Sequence, residues 1–142
     1  MLSIVADSRN KKAYVSLRSI EANTEYGIDR FLWFLGRELK STASKQVLAK
    51  PRSGRVYRYK GRRHVASSRG ESPANRSGAY RKSIGFNVRG HTMEFGAGAK
   101  YSAYLENGTR RMAARPGLLN SIKSNEKTGL DRANSELKKA LT

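Results

Sequence analysis

Residues 73–84 read Pro-Ala-Asn-Arg-Ser-Gly-Ala-Tyr-Arg-Lys-Ser-Ile, and residues 101–109 read Tyr-Ser-Ala-Tyr-Leu-Glu-Asn-Gly-Thr. Residues 114–119, Ala-Arg-Pro-Gly-Leu-Leu, follow soon afterwards. Between the first two stretches, apolar and polar residues alternate from Ile84 onward, which is typical of a strand with one buried face. The region from Pro73 to Ile122 is therefore predicted to contain a β-hairpin, a third short strand, a tight turn and the start of a helix.

The first part of this region is predicted to form one helical turn followed by the hairpin. Gly78 to Ser83 supplies the helical turn, and Arg89-Gly90-His91 joins the two strands. The positions on the apolar face are Ile84, Phe86 and Val88 in the outgoing strand, then Met93 and Phe95 in the returning strand.

A third strand and a tight turn are predicted after the hairpin. The alternating pattern resumes at Tyr101, Ala103 and Leu105, with Ser102, Tyr104 and Glu106 between them. Asn107-Gly108 is a turn signal, because both residues tolerate positive φ. Arg115-Pro116 is predicted to start the last helix, since proline is favoured at the first helical position.

A long helix is predicted before this region. Its apolar residues recur at three- and four-residue steps, which marks one face of a helix of about six turns. They are Ile28, Phe31, Leu32, Leu35, Leu39, Ala43 and Val47. Asn23-Thr24 or Ser19 is predicted to cap its start, and Lys50-Pro51 to end it, because proline disfavours helical geometry in the residue before it.

Two aromatic residues widen this apolar stripe beyond the width that one buried face requires. They are Trp33 and Phe34. The favoured interpretation places both in the core. The alternative is that Trp33 contacts a neighbouring subunit, which makes it a candidate interface residue.

The two ends of the chain complete the predicted fold. A short strand at Leu2, Ile4 and Ala6, a turn at Asp7 to Asn10, and a second strand at Tyr14, Val15 and Leu17 are predicted near the start. Near the end, Gly129 weakens the last helix and predicts a kink or short break between Ser124 and Gly129. Together the patterns predict an α+β fold, with a small antiparallel sheet packed by a long N-terminal helix and a C-terminal helix.

The composition is that of one polar domain, which we assign to residues 1–142. The hydrophobic share of 37% and the charged share of 28% allow a thin core. There is no cysteine, so disulfides and thiolate metal sites are excluded. No apolar run approaches the roughly 20 residues of a membrane helix, and the start lacks the pattern of a secretory signal. The protein is predicted to be cytosolic where it is made.

Positive charge is concentrated in residues 50–89. This segment has twelve basic residues against the single acid Glu71, so it carries +11 of the net charge of +18. Net charge of this size favours a polyanionic partner and says nothing about the fold. We expect residues 50–77 to form an extended basic arm that is ordered only against a partner, because its like charges repel one another.

Within this arm, Val56, Tyr57 and Tyr59 predict a short β-structure between Gly54 and Gly61. The candidate residues for contact with a partner or with DNA are Lys50, Arg52, Arg55, Arg58, Lys60, Arg62 and Arg63. Tyrosines interleaved with arginines could stack on bases, but packing against protein is favoured, because a single-strand platform normally lies on a sheet.

Signals for catalysis are weak, and no enzyme activity, cofactor or metal is predicted. His64 and His91 are distant in sequence and lack the spacing of a metal pair. His91, at the tip of the hairpin, is predicted to be exposed. Glu94 and Glu106 are the one acidic pair on predicted strands close enough to suggest a two-carboxylate nuclease site. The favoured interpretation of Glu106 is instead a charge pair with a basic neighbour, in the same chain or the next.

A series of short motifs resembles the neck and tail-completion family of tailed bacteriophages, related to minor tail protein Z. The motifs are Pro51-Arg-Ser-Gly-Arg-Val-Tyr57, His64-Val-Ala-Ser67, Gly70-Glu-Ser-Pro-Ala-Asn75, Ser77-Gly78 with Ser83-Ile84, and residues 101–109 followed by Ala114-Arg-Pro116. They occur in the family's order between about residues 28 and 141. The chain departs from the family at Gly117, where an aromatic residue is common, and at Ala79-Tyr80, where a leucine is displaced.

The resemblance implies a structural virion protein without catalysis. Such proteins form a ring, commonly hexameric and with a dodecamer as the alternative, where the head connector meets the tail-tube or tail-terminator proteins. Double-stranded DNA passes through the lumen without base-specific contacts, and no membrane is involved. The residues that the resemblance places in the structural motif are Gly78, Tyr101, Tyr104, Glu106, Gly108, Thr109, Arg115 and Pro116.

The competing class is a basic nucleic-acid-binding module of the ribosomal or nucleoid kind, with a nuclease third. Net charge does not separate the first two classes, whereas the ordered motifs favour the neck protein. Its basic arm has two candidate partners, DNA in the lumen or acidic surfaces on adjacent rings. Docking on protein is favoured, because strong phosphate contacts would slow passing DNA.

Overall fold

The secondary structure is that of an α+β fold. The computed structural model describes residues 2–7, 12–17, 25–49 and 52–141. In chain order its elements are β1 (Leu2–Asp7), β2 (Lys12–Leu17), α1 (Glu25–Leu48), β3 (Val56–Tyr59), β4 (Arg62–Val65), α2 (Ala79–Ser83), β5 (Ile84–Arg89), β6 (Thr92–Ala97), α3 (Ser102–Asn107), α4 (Gly117–Asn125) and α5 (Thr128–Leu141).

Four strands form an antiparallel sheet in the order β1-β2-β6-β5. The alternation of β6 buries Met93, Phe95 and Ala97 on one face. The register sets Phe86 opposite Phe95 and Val88 opposite Met93, so the apolar positions of β5 and β6 share that face. The predicted hairpin, with its turn at Gly90-His91, is confirmed.

The predicted N-terminal strand pair is also confirmed. β1 pairs with β2 with Ile4 opposite Val15, and β2 continues the sheet beside β6 with Val15 opposite Met93. Of the residues predicted to form the turn between β1 and β2, Asp7 ends β1, and the others lie outside the described residues.

Helix α1 supplies the centre of the core. It packs against β5 and β6 and also against α4 and α5. Its predicted apolar stripe is confirmed, since Phe31, Leu32, Leu35, Leu39, Ala43 and Val47 are each at most 2% exposed. Gly36 allows a close approach to the sheet, because a Cβ atom there would lie 2.3 Å from the Phe86 ring.

The predicted start and stop signals of α1 can be compared with the structure only in part. The helix begins at Glu25 and ends at Leu48. The predicted caps Ser19, Asn23 and Thr24 lie outside the described residues, and so do Lys50 and Pro51.

The placement of Trp33 in the core is wrong. Trp33 is 52% exposed, whereas Phe34 is partly buried against the core. Phe31, Leu32 and Leu35 already occupy the face of α1 that the other elements cover. Position 33 is therefore left on the flank of the helix, beside the edge strand β5.

The prediction of a third strand at Tyr101 to Glu106 is wrong, because these residues form the turn and helix α3. The amide of Leu105 donates to the carbonyl of Tyr101 at 3.2 Å, and Ser102 is fully buried while Tyr104 is 58% exposed. A strand directly after β6 has no place beside it, because β2 and β5 already pair with both edges of β6. An alternation over five residues also matches one helical turn, with Tyr101 and Leu105 on one side.

The C-terminal region forms two helices, which confirms the predicted break. Helix α4 ends at Asn125 and α5 begins at Thr128. Pro116 was predicted as the first helical residue and is instead the N-cap, so α4 begins one residue later at Gly117. In the described part of the chain, no helix is long and apolar enough to cross a membrane.

Candidate functional site

The carboxylate of Glu106 joins three separate segments of the chain. Its Oε1 atom accepts hydrogen bonds from the Tyr80 hydroxyl at 2.9 Å and from the amides of Gly117 and Leu118 at 2.8 Å each. Oε2 accepts a longer bond from the Leu119 amide at 3.5 Å. The first amides of a helix have no partner within the helix, and the positive end of its dipole favours an anion. Glu106 therefore caps α4 from outside; we call Glu106, Tyr80 and the start of α4 the Glu106 anchor.

This geometry corrects two predictions for Glu106. The partners of its carboxylate are a hydroxyl and backbone amides, so among the described residues Glu106 does not pair with a basic neighbour of its own chain, and a pairing with the next chain stays a prediction. Glu106 also lies on α3 while Glu94 lies on β6, so the two acids are not on adjacent strands. Burial of Tyr80, followed by the charge of Glu106, raises the pKa of the Tyr80 hydroxyl far above its usual value. Tyr80 therefore stays a hydrogen-bond donor throughout the physiological pH range.

The predicted turn after Glu106 is confirmed at Gly108. Gly108 has φ 75° and its amide donates to the Tyr104 carbonyl at 2.9 Å. A Cβ atom at this position would lie 2.7 Å from the Met112 carbonyl oxygen. The Thr109 hydroxyl accepts from the amides of Arg111 and Met112, which closes the small loop that follows. The Arg115 amide then donates to the Leu105 carbonyl at 2.7 Å and returns the chain to α3.

Tyr80 and Gly117 are in contact in this anchor. A Cβ atom on Gly117 would lie 2.6 Å from the Tyr80 hydroxyl and 2.9 Å from Pro73. An aromatic side chain at position 117 would therefore occupy the space that Tyr80 fills. Tyr80 and Gly117 form a complementary pair, in which the large residue lies at one position and the small residue at the other.

Most of the motif residues cluster here, but two have exposed rings. Gly78 caps α2 with φ 80°, two residues before Tyr80. Pro116 precedes the first amide that Glu106 binds. Tyr101 and Tyr104 are 43% and 58% exposed, so their rings are available to other molecules.

The basic arm contains a β-hairpin, formed by β3 and β4. Its root is closed by hydrogen bonds from the Gly54 amide to the Ala66 carbonyl and from the Ala66 amide to the Arg55 carbonyl. We call residues 54–66 the basic hairpin. The register places Arg58 directly opposite Arg63, and both are exposed. Like charges opposite each other destabilise a strand pair, so this face favours an anionic partner.

The seven predicted arm residues do not share one environment. Arg55, Arg58, Lys60, Arg62 and Arg63 are exposed on the basic hairpin. Arg52 turns back instead and donates to the carbonyls of Gln46 and Val47, where it caps the C-terminus of α1. Lys50 lies outside the described residues.

The tyrosines of the basic hairpin pack against protein, as the favoured interpretation expected. Tyr57 is opposite His64 on the half-buried face, and their rings meet edge to face at 5.1 Å. Arg76 lies over the Tyr59 ring at 4.5 Å.

His91 is partly exposed at the β5–β6 turn, and its Nδ1 atom lies 3.5 Å from a carboxylate oxygen of Asp29.

The root of the hairpin is tied to the following loop by Glu71. The Glu71 carboxylate accepts from the Ser53 hydroxyl, from the Ser53 amide at 3.4 Å and from the Ser68 amide at 2.9 Å. These hydrogen bonds lower the pKa of Glu71, and the bond from the Ser53 hydroxyl has the largest effect. Sequence reasoning missed this role, although Ser68-Arg-Gly-Glu71 has the spacing of a Ser-x-x-Glu capping box.

A second exposed surface lies on the flank of α1. The Trp33 ring meets Phe86 edge to face with centroids 6.3 Å apart, and the Arg37 guanidinium lies 5.2 Å above the Trp33 ring. We call these three residues the Trp33 patch. Its exposed aromatic ring and cation are of the types enriched at protein interfaces.

Among the residues that the structure describes, no group of three or more His, Cys, Asp or Glu side chains could hold a metal ion. Comparison with protein-family models, with curated proteins and with solved structures found no match for this chain.

From the contacts of Glu106 we predict how the loss of its charge changes the stability of the fold. We expect Glu106→Gln to lower the free energy of unfolding by about 1–2 kcal/mol, because charge-assisted bonds to the α4 amides become neutral ones. Tyr80→Phe should cost about 1 kcal/mol through the loss of one donor. Urea denaturation measures both, with Glu126→Gln on the exposed surface as the control. A Glu106→Gln variant no less stable than this control would contradict the assignment.

From the positive φ of Gly108 we predict that a side chain at position 108 destabilises the fold. We expect Gly108→Val to destabilise the fold by about 1–3 kcal/mol through backbone strain and contact with the Met112 carbonyl. Gly61→Val is the matched control, because Gly61 has the same φ of 75° and nothing within 4 Å of its Cβ position. The midpoint of chemical unfolding should fall further for Gly108→Val. An unchanged midpoint would show that the turn tolerates a side chain.

From the lowered pKa of Glu71 we predict that the hydrogen bonds at the root of the hairpin weaken at low pH. The contribution of ionised Glu71 is present above its usual pKa of 4.5 and is lost as the pH falls through the lower pKa of the folded state. Hydrogen-exchange protection of the Ser53 and Ser68 amides should therefore fall between pH 6 and pH 3. Glu71→Gln should remove this difference. Equal protection of the unmodified protein at both pH values would contradict the role of Glu71.

Proposed function

We propose that this protein is a structural virion protein that forms a ring at the head–tail junction of a tailed bacteriophage. In this role it joins the head connector to the tail and surrounds the passing DNA. The single observation that carries the proposal is the Glu106 anchor, in which Glu106 of the motif at residues 101–109 binds the first amides of α4, directly after Ala114-Arg-Pro116, and the Tyr80 hydroxyl, two residues after Gly78. Motifs that resemble one family in their order along the chain also form one structural unit.

The pairing of Tyr80 with Gly117 strengthens the resemblance. Two independent departures from a family pattern would each weaken an assignment. Here the two positions are in contact, and the larger residue at position 80 accompanies the missing side chain at position 117. Compensating changes at one contact are expected when a common fold is kept and its packing is redistributed.

Two separate exposed surfaces suit a protomer of a ring. The basic hairpin and the Trp33 patch lie on different elements, β3–β4 and α1–β5. A cyclic ring uses heterologous contacts, in which one surface of a protomer binds a different surface of the next. We propose the Trp33 patch as part of the contact between copies.

The basic hairpin is assigned to neighbouring proteins of opposite charge. Copies that each carry a net charge of +18 repel one another, so acidic proteins beside the ring would stabilise it. A lumen that bound phosphates with every hairpin would hold DNA tightly, since each neutralised phosphate adds about 0.9 to the salt slope of binding. The protein partner therefore fits the proposed role better than the DNA does.

Imaging of phage necks tests the ring itself. We expect this protein in a closed ring between connector and tail, six-fold in the simplest case. Purified protein should also give a ring whose size persists at high salt. A protein absent from the neck, or a monomer that changes size only with DNA or RNA, would overturn the proposal in favour of a nucleic-acid-binding module.

Charge reversal tests the role of the basic hairpin. We expect Arg55→Glu, Arg58→Glu and Arg62→Glu together to abolish head–tail joining while DNA packaging continues, because the reversed hairpin repels its acidic partner. The same reversal at Lys40, Lys123 and Lys127, which are exposed elsewhere, makes an equal change in net charge and should leave joining intact. Normal particles that eject DNA abnormally would show that the hairpin faces DNA instead.

A further inference from the structure

Both edges of the four-stranded sheet are open in the part of the chain that the structure describes. The strand order β1-β2-β6-β5 leaves β1 at one edge and β5 at the other, and no described strand pairs with their outer sides. Each of these two strands has six residues, contains no proline and pairs with its inner neighbour in an unbroken register. Prolines and bulges are common devices that protect an edge from pairing, so both edges can accept a further strand.

The outer edge of β5 presents the backbone groups of every second residue. The Gly98 amide donates to the Ser83 carbonyl at 2.9 Å, and both residues of the turn Gly90-His91 have positive φ, as in a two-residue hairpin. Both observations identify the pairs that bond β5 to β6, because such pairs alternate along an antiparallel ladder. The residues between them direct their backbone groups outward, and they are Ile84, Phe86 and Val88. Of these groups the Ile84 amide is used within the chain, since it donates to the Arg81 carbonyl.

The outer edge of β1 presents a matching set. The same alternation, followed from β6 through β2, leaves three residues of β1 with outward backbone groups. They are Leu2, Ile4 and Ala6. Ile4 is opposite Val15 and Val15 is opposite Met93, so these three positions lie on the sheet face to which Met93 belongs. The outward residues of β5 lie on that face too, since Val88 is also opposite Met93.

The alternating strand directions make the two edges complementary between copies of the chain. Each strand is antiparallel to its neighbour, so β1 and β5 run in opposite directions. A copy in the same orientation therefore lays its β1 antiparallel to β5, with the same sheet face on the same side. The register that uses all three outward residues of both strands sets Phe86 opposite Ile4 of the second copy. The added strand then runs beside the exposed Trp33 ring, which contacts Phe86.

The charges at the two edges favour a contact between unlike edges. β1 reads Leu-Ser-Ile-Val-Ala-Asp, so it has no basic residue and ends at Asp7. β5 follows Lys82 and ends at Arg89, and both residues are exposed. In the antiparallel arrangement, Asp7 of one copy lies at the end of β5 that follows Lys82 of the other. Two β5 edges would instead bring Lys82 of one copy to the end at which Arg89 of the other lies, and like charges repel.

We propose that β1 of one copy adds to the open edge of β5 in the next copy, so that the sheets of neighbouring copies become continuous. Strand addition of this kind gains affinity from backbone hydrogen bonds and specificity from the side chains on either face. Two different edges meet, so the contact is heterologous and can repeat from copy to copy. The inference rests on the proposed association of copies and names the strands that meet beside the Trp33 patch.

Engineered cysteines test the pairing in the full chain, which naturally contains none. In the proposed register, Ser3 of one copy and Asn87 of the next form a non-hydrogen-bonded pair with Cα atoms about 4.5 Å apart, a separation that a disulfide spans. Within one copy the same residues are three strand spacings apart, about 14 Å, which is too far. Ser3→Cys with Asn87→Cys should therefore give covalent multimers on a non-reducing gel after mild oxidation. A chain that stays monomeric on this gel would overturn the proposal.

Two controls locate the contact. Ser3→Cys combined with Lys123→Cys, whose second position is exposed on α4, should give no covalent multimers. A mixture of the single variants Ser3→Cys and Asn87→Cys should give a covalent dimer, whereas Asn87→Cys by itself should not. Covalent dimers from Asn87→Cys by itself would show that two β5 edges pair with each other, and multimers from the Lys123 control would show unspecific contact. Either result would overturn the proposal.

A proline substitution tests the backbone hydrogen bonds. Val88→Pro removes an amide that points away from β6, a position at which an edge strand tolerates proline. Self-association, measured by sedimentation velocity, should weaken about tenfold through the lost hydrogen bond. Val88→Ala is the matched control, because it shortens the same side chain and keeps the amide. Equal association of the proline and alanine variants would overturn the pairing at β5.

The cysteine test and imaging of phage necks have separate outcomes. A ring in the neck whose copies do not form the disulfide would overturn the strand pairing and leave the neck proposal standing. The disulfide in a protein that is absent from the neck would support the strand pairing and overturn the neck proposal.

Discussion

The fold depends on one carboxylate whose charge is satisfied by backbone amides and a hydroxyl. Glu106 stands at the end of α3, yet it completes the first turn of α4 and holds the buried Tyr80 hydroxyl. Without it, the amides of Gly117 and Leu118 would face a partly buried region with no partner. In a chain with 29 basic residues and 11 acids, a carboxylate bound in this way is kept from competing cations. The same geometry fixes where α4 lies against α1, and through α1 it connects with the sheet.

Sequence patterns predicted those parts of the fold in which one face of one element is buried. The stripe of α1 and the alternation of β5 and β6 follow directly from burial on one side, so their periods identified them. The prediction for residues 101–106 was wrong, because so short a run fits both the helical and the strand period. The choice depended on which edges of the sheet were already occupied. The prediction that Trp33 lies in the core was wrong for a related reason. Periodicity shows which side of a helix is apolar, but not how wide the surface is that covers it.

The candidate site was predictable as a set of residues but not as a set of contacts. The motif order pointed to Glu106, Gly108 and Pro116, and positive φ at Gly108 followed from residue type alone. The partner of Glu106 was not accessible, because Tyr80 and Gly117 lie 26 and 11 residues away and meet it only in the folded chain. Arg52 shows the same limit, since its type matches the other arm residues and its position beside the C-terminus of α1 gives it a different role.

The two acids Glu71 and Glu106 explain how so basic a chain can position its charges. Each carboxylate binds amides and a hydroxyl and so joins separate segments, one at the root of the basic hairpin and one at the start of α4. Neither neutralises an arginine of the outer hairpin face. Arg58 and Arg63 therefore remain side by side and exposed, an arrangement that costs energy in the free protomer. This cost is consistent with the proposal that the outer face of the hairpin docks on an acidic partner, because negative charge placed there would recover that energy.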